Sequence, residues 1–440
     1  MNTFMRKLNF KRILKSILTV YLLFFGLIVF GQNPEVETSI HKNVQKRTDE
    51  IFDNLIQIRR DLHTYPELSE QEKRTSKKIE EYLLSLGLEV KTNIGGYGVV
   101  GILNGHKAGK RIAWRADIDA LASDFPDVVD FKSKNKGVRH ICGHDIHTTI
   151  GLGIANILTS QKENIDGTVY FLFQPSEENY EGAKAMINDG LFDMIDPEEI
   201  YGLHIVPFPA GTIATKGEEV FAHYNAIKVS FKNSHSTDSL IDYTKKLISS
   251  FQNIKPESKF WDPGNLTDSN VGIGNPNTIF KNYLTVNEDF SIKQTNNEVV
   301  ISTIIQSSNG KQLDSLIKSL KQNINESKYS KDLISVEYSW EKDVVLNDKN
   351  LAAKALNSIT NIYGKQSVIP LYGEVPYGFG DDFAYFQNQV PGVYFFLGGA
   401  NYEKGIISMP HTPNFDVDED CIRTGVNFFS SMIIESLNNE

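Results

Sequence analysis

At 440 residues the chain exceeds one ordinary hydrophobic core, so two domains are expected. Its 40% apolar content is that of a folded globular protein. The formal net charge of −10, with no long basic run beyond the first fifteen residues, argues against nucleic acid as a partner.

The first segment stands apart from the rest. Arg6, Lys7, Lys11, Arg12 and Lys15 precede an uncharged apolar run from Ser16 to Gly31, the pattern of a secretory signal peptide over residues 1–31. The other reading is an uncleaved membrane anchor, for which a sixteen-residue run is at the short edge. Cleavage is therefore expected, with export to the periplasm or beyond. It removes five positive charges and no negative ones, taking the net charge from −10 to −15. Despite the oxidising compartment this implies, no disulfide is expected. Cys142 sits in a knot of histidines, and Cys421 lies in a helical run from Asp418 to Leu437, as a small buried hydrophobe.

Ile51, Leu55, Ile58 and Leu62 recur at helical spacing and predict a helix over 39–64, broken at Pro66. Ser69 and Glu72 have capping-box spacing and predict a second helix that starts at Ser69 and stops at Gly87. Short apolar runs at 88–92, 98–103, 111–115, 168–173 and 200–205 predict strands, with helices over 148–158 and 182–189 between them. This alternation predicts an α/β sandwich with a largely parallel or mixed sheet, in which ligands gather at the carboxyl ends of strands. The Arg115-Ala-Asp117-Ile-Asp119 turn, Glu177-Glu178 and His204 each follow or end such a strand.

The pattern changes after Phe221. Strands at 226–232, 283–292, 297–306 and 333–341 with helices over 237–253 and 311–324 give a strand-helix-strand-strand-helix-strand order, a ferredoxin-like plan. A small α+β domain at 222–345 is thus expected as an insertion into a large domain formed by 38–221 and 346–440. The large domain's second part carries Gly380-Asp381-Asp382-Phe383, a strand at 393–397, and His411 between Pro410 and Pro413.

A lone His or Cys is more often a core or surface residue than a ligand. Here three of the ten histidines, His140, His144 and His147, fall within eight residues beside Cys142. About thirty residues on, Glu177 and Glu178 form an adjacent pair. Cys, His and Glu from two segments can fix a divalent ion and leave a coordination position open, an arrangement able to activate a water.

These segments resemble successive signatures of the metal-dependent aminoacylase and carboxypeptidase G family, in its branch of hippurate hydrolases, N-acyl-amino-acid amidohydrolases and auxin-conjugate hydrolases. The motifs are Arg59-Arg-Asp-Leu-His63-Thr-Tyr-Pro66-Glu67, Arg115-Ala-Asp117-Ile-Asp119-Ala-Leu121, Cys142-Gly-His144-Asp145-Ile-His147, Phe173-Gln-Pro-Ser-Glu177-Glu178, Gly202-Leu-His204, Asp382-Phe383 and His411-Thr-Pro-Asn-Phe415-Asp416. The resemblance implies a metal-binding large domain and an inserted lid and dimerisation domain, hence a homodimer. It implies Cys142, His144, Glu178, His204 and His411 as ligands of two divalent ions, Glu177 as general base and Asp119 as a carboxylate that orients a ligand. Thiolate and imidazole favour zinc, while the family suggests manganese, cobalt or nickel as well. One carboxylate of the Glu pair can turn to the metal while Glu177 takes a proton from the attacking water and returns it to the amide nitrogen.

The lid departs from the family. A Gly-Gly-His stretch reads Lys232-Asn-Ser-His235, Asn277 matches a lid Asn, and Ile305 stands where a family Arg is expected. Asp381 replaces a Glu, and Leu121-Ala122 replaces Leu-Pro. Arg suits bidentate carboxylate recognition, so its loss bears on which group of a substrate is recognised. The expected activity is hydrolysis of N-acyl amino acids or small peptides. The alternatives are a dipeptidase or carboxypeptidase of the same family, and a non-catalytic metal-site protein with a drifted lid, for which Glu177 has no use.

Overall fold

The computed structural model describes residues 34–233 and 237–438. Residues 1–31, where a signal peptide is expected, and His235 lie outside the described residues. No helix among the described residues is long and apolar enough to cross a membrane.

Helix α1 (Pro34–Thr64) is followed by α2 (Lys73–Ser85). The capping box expected at Ser69 does not form, because both of its side chains are drawn elsewhere. Ser69 Oγ donates to Asp119 Oδ2 at 2.7 Å, and buried Glu72 accepts the backbone N–H of Ser176 at 2.8 Å. The helix therefore starts four residues late, with Glu72 at its N-cap and no side-chain cap bond.

Strands β1 (Glu89–Ile94), β2 (Gly98–Asn104) and β3 (Arg111–Asp117) come next, then α3 (His144–Ser160), β4 (Thr168–Gln174), α4 (Gly182–Asn188), β5 (Glu199–Pro209) and β6 (Ile213–Thr215). The small layer follows: β7 (His223–Lys232), α5 (Thr237–Ser249), β8 (Leu284–Val286), β9 (Ser291–Gln294), β10 (Glu298–Ser307), α6 (Gly310–Asn325) and β11 (Leu333–Glu341). The chain then returns to the large layer with α7 (Lys349–Tyr363), β12 (Val368–Pro370), β13 (Gly392–Ala400) and α8 (Asp420–Asn438).

Among the described residues, eight strands form a mixed sheet in the order β1-β2-β4-β3-β5-β13-β6-β12. Its centre, β4, β3, β5 and β13, is parallel. These strands read as near-continuous apolar runs because helices or loops cover both faces. On one face Phe429 of α8 packs on Trp114 and Phe395, with ring centroids 4.8 and 5.0 Å apart. On the other, Ala113, Leu172, Tyr394 and Phe396 belong to a core with Met186, Phe383 and Phe386.

The small layer is an antiparallel sheet in the order β8-β10-β7-β11, with β9 also paired to β10. Strand β10 alternates strictly, so Val299, Ile301 and Ile305 face the core made with α5 and α6. The single strand expected over 283–292 is two. Asn287 accepts from the backbone N–H of Asp289 at 2.9 Å, a local turn that interrupts the ladder. Between α5 and β8, residues 260–283 leave the small layer. Phe260, Leu266, Ile273, Phe280 and Tyr283 join the core of the large layer instead. Backbone bonds from Tyr372 to Ile273 (2.8 Å) and from Glu374 to Phe280 (2.9 Å) fix this segment as a strap.

Candidate metal centre

The parallel strands deliver polar groups to one rim. Strand β3 ends at Asp117 and leads to Asp119, β4 ends at Gln174 and leads to Glu177 and Glu178, and His204 lies within β5. Between Cys142 and His144, Gly143 has φ of +93°, and a Cβ there would meet Ile205 Cγ2 at 2.5 Å. Only glycine lets the thiol and the first imidazole of α3 turn toward the same point. Ser176 and His411 hold φ of 55° and 59°, left-handed values uncommon outside glycine and typical of over-determined sites.

The result is a tight cluster. Cys142 Sγ lies 3.1 Å from His204 Nε2 and 3.1 Å from His411 Nε2. His411 Nε2 is 3.4 Å from Glu178 Oε2, and His144 Nε2 is 3.7 Å from both Glu178 Oε1 and Glu177 Oε2. Two ligand groups, Cys142-His144-His204 and Cys142-Glu178-His411, each have their donor atoms within 4.8 Å of one another and share the sulfur. The structure thus brings together Cys142, His144, Glu177, Glu178, His204 and His411, with Asp119 directly behind His144.

The donor set fits divalent cations. His144 uses Nδ1 on Asp119 (2.9 Å to the carbonyl, 3.1 Å to Oδ1), and His204 donates from Nδ1 to Ile205 O at 2.7 Å. Each ring thereby turns a bare Nε2 inward, as ligating imidazoles do. The Nε2 of His144 and Oε1 of Glu178 are buried with no hydrogen-bond partner, an arrangement that is costly unless a cation supplies the missing contact. Burial, with His147 and His144 alongside, lowers the His204 pKa well below its ordinary value and keeps the ring neutral. Burial, with Glu178 nearby, pushes the Cys142 thiol well up, so a thiolate here needs positive charge beside it. Burial, together with Asp381 and Glu178, likewise raises Glu177 well above the usual carboxylate range.

A second set of residues, not assigned roles from the sequence, holds the first in place. His147 donates from Nδ1 to Asp117 Oδ1 at 2.6 Å and accepts the Ile205 N–H at 2.9 Å, which makes it a positioning residue. Fully buried Arg115 reaches Asp117 (2.5 Å), Asp381 (2.9 Å), Asp382 (3.0 Å) and Gln174 (2.8 Å). Asp145, next to His144, is held by His63 Nδ1 (2.9 Å) and Arg59 Nε (3.0 Å). Burial opposes its ionisation, but these cations outweigh it and keep the carboxyl well below its usual range. The Arg115-Ala-Asp117 motif carried this signal as charged residues in an otherwise apolar strand, whereas Arg59 and His63 sit in the polar last turns of α1 and gave no such mark.

Beside the cluster lies a cleft of about 330 Å³, walled by Val206, Phe208, Phe221, Ile273, Val375 and Phe396. Asn277 does not line it: the residue is exposed, with its backbone N–H on Asn275 Oδ1 at 2.8 Å. Ile305, the position matched to a family Arg, faces the core of the small layer and is 0% exposed. Its neighbour Gln306 points the other way and accepts the backbone N–H of Gly378 at the cleft, at 3.0 Å.

The sequence profile of peptidase family M20/M25/M40 matches residues 113–435. Thermostable carboxypeptidase 1 of Saccharolobus solfataricus is 32% identical over 404 residues, which cover 86% of this chain and 93% of that one. IAA-amino acid hydrolase ILR1-like 4 of Arabidopsis thaliana is 28% identical over 400 residues, covering 88% of this chain and 86% of its own. Among solved structures, the Bacillus subtilis YXEP protein, described as a dinuclear metal binding peptidase from the M20 family, shares the fold with a TM-score of 0.70 at 24% identity, over 89% of this chain and 99% of its own.

Proposed function

Because the chain belongs to peptidase family M20/M25/M40, and so is a metal-dependent hydrolase of amide bonds, we propose that it cleaves the amide of N-acyl amino acids or small peptides with Glu177 as general base. The observation that carries this reading is the sharing of Cys142 between two ligand groups with Glu177 at their edge. Cys142, His144, Glu178, His204 and His411 would hold two divalent ions, zinc by the thiolate and imidazole donors, with manganese, cobalt or nickel suggested by the family resemblance. Such a pair supplies Lewis acidity toward the scissile carbonyl oxygen and acidifies a water.

The protein's own part is proton handling and orientation. Glu177, raised by burial and by Asp381 and Glu178, takes the proton of the attacking water and returns it to the amide nitrogen as the C–N bond breaks. Asp119 fixes the His144 ring, and the apolar wall of the cleft takes an acyl or side-chain group and keeps bulk water out.

The test is a panel of N-acyl amino acids and dipeptides assayed with the purified chain. Hydrolysis lost on chelation and restored by zinc or manganese is the expected result. Turnover that survives exhaustive chelation overturns the reading. Faster cleavage of dipeptides than of acyl amino acids favours the peptidase alternative, in line with the carboxypeptidase relative.

The leader-like residues 1–31 support export, and recovery of the protein only from the cytosolic fraction would overturn it. A homodimer through the small layer completes the proposal and is read from the solution mass.

A further inference from the structure

The hydrolase reading leaves open how a substrate's free carboxylate is recognised once the family Arg position carries Ile305, whose side chain is packed away from the cleft. The structure offers another cation. Lys342 directly follows β11, where the chain returns from the small layer, and its backbone N–H donates to Tyr224 O at 3.1 Å. It is the one lysine or arginine among the described residues lining the cleft that holds Cys142, Glu177, Glu178, His204 and His411.

Its ammonium group is positioned without a direct ion pair, with the charges of Glu177 and Asp381 close by. Nζ lies 3.9 Å from the centroid of the Tyr180 ring and donates to Gly378 O at 3.0 Å. No carboxylate is within ion-pair distance of it among the described residues. The site is built around this head group: a Cβ at Gly380 would lie 3.1 Å from Lys342 Cε and 3.2 Å from Nζ. Gly378, which accepts from Lys342, is held through its own N–H by Gln306. A half-buried ammonium on an aromatic face, with Glu177 and Asp381 near it but outside ion-pair distance, faces the cleft with room for a direct anionic partner.

We propose that Lys342 is a specificity-determining residue, binding the free carboxylate of a substrate whose scissile amide lies at the metal centre. The chemical class follows: an N-acyl amino acid or peptide with a free carboxyl terminus, carrying an apolar group for the wall formed by Phe208, Phe221 and Phe396. This rests on the hydrolase reading above, and the experiment separates the two.

Binding is measured by calorimetry with metal-loaded Glu177→Gln protein and two probes: N-acetyl-L-phenylalanine, and N-acetyl-2-phenylethylamine, the same amide with hydrogen in place of the carboxylate. The acid is expected to bind about 10- to 100-fold tighter, as one charge-assisted contact implies. Adding Lys342→Met closes that gap and Lys342→Arg keeps most of it. In the otherwise wild-type enzyme, Lys342→Met raises KM for the acid and leaves kcat within a few-fold. A gap that persists in Lys342→Met, equal weakening of both probes, or no binding of the acid overturns the proposal. Turnover of the acid by wild-type protein reads the hydrolase assignment separately. If the acid binds through Lys342 yet is never cleaved, the hydrolase reading fails and the recognition role stands.

Discussion

Asp119 Oδ2 accepts the backbone N–H of Glu178 at 3.0 Å, so the loop that carries the Glu pair is tied to the carboxylate that also orients His144. One side chain thus sets the position of a ligand from β4 and a ligand from α3. Asp119→Asn keeps the shape but weakens the acceptor on both sides. Metal affinity, measured by competition with a chelator, is expected to fall by roughly 10- to 100-fold. Unchanged affinity would falsify the orienting role.

Glu177 bears on turnover rather than on binding. Glu177→Gln preserves volume and removes the base, so kcat should fall by about 10²- to 10⁴-fold while metal content per chain stays at the wild-type value. Elemental analysis of the dialysed variant, read beside its rate, checks both halves. Loss of metal together with activity would instead make Glu177 a ligand.

At Gly143, alanine meets two obstacles at once: a left-handed φ and a contact of 2.5 Å with Ile205. Strain of this kind costs on the order of 1–3 kcal/mol. Gly143→Ala should lower the melting temperature by several degrees and weaken metal binding together, because relief of the clash moves Cys142 or His144. A variant with wild-type stability and affinity would show that the turn tolerates a side chain.

Glu72 gives a pH-dependent prediction. Burial, with Asp119 nearby, raises its carboxyl from 4.5 to about 7. Between those values the folded state holds a proton that the unfolded state has released, so this group's contribution to stability falls as pH rises through the window. Glu72→Gln mimics the protonated form. In the metal-free protein the variant should gain stability over wild type at pH 8 and show little difference at pH 4. An equal difference at both pH values in chemical denaturation would contradict this.

The cluster was legible because its residue types are rare and their places regular. Cys142, His144 and the Glu pair stand where a parallel strand ends or a helix begins, and such positions converge whatever the loops do, whereas His204 sits inside β5, which runs on to Pro209. His411, on a long loop, was found only through its prolines and the family pattern. What could not be read is set by contacts across the chain. Ser69 and Glu72 satisfy a capping rule, yet Asp119 and Ser176 capture their side chains. Ile305 was matched to a recognition position, and strand alternation turns it inward and presents Gln306 instead. Lys342 has no motif around it; Tyr180, Gly378 and Gly380, all distant in sequence or on another loop, give it meaning.

Residues 260–283 add a third mooring to a small layer that two chain crossings would otherwise leave free to swing. Tyr283 donates to Glu374 O at 3.2 Å, and Phe260 stacks within 5.7 Å of Tyr377, so any wide opening must first peel this aromatic seam from the body beneath. The same segment supplies Leu266 and Ile273 to the cleft wall, so the seam that moors the small layer also forms one side of the space beside the thiol.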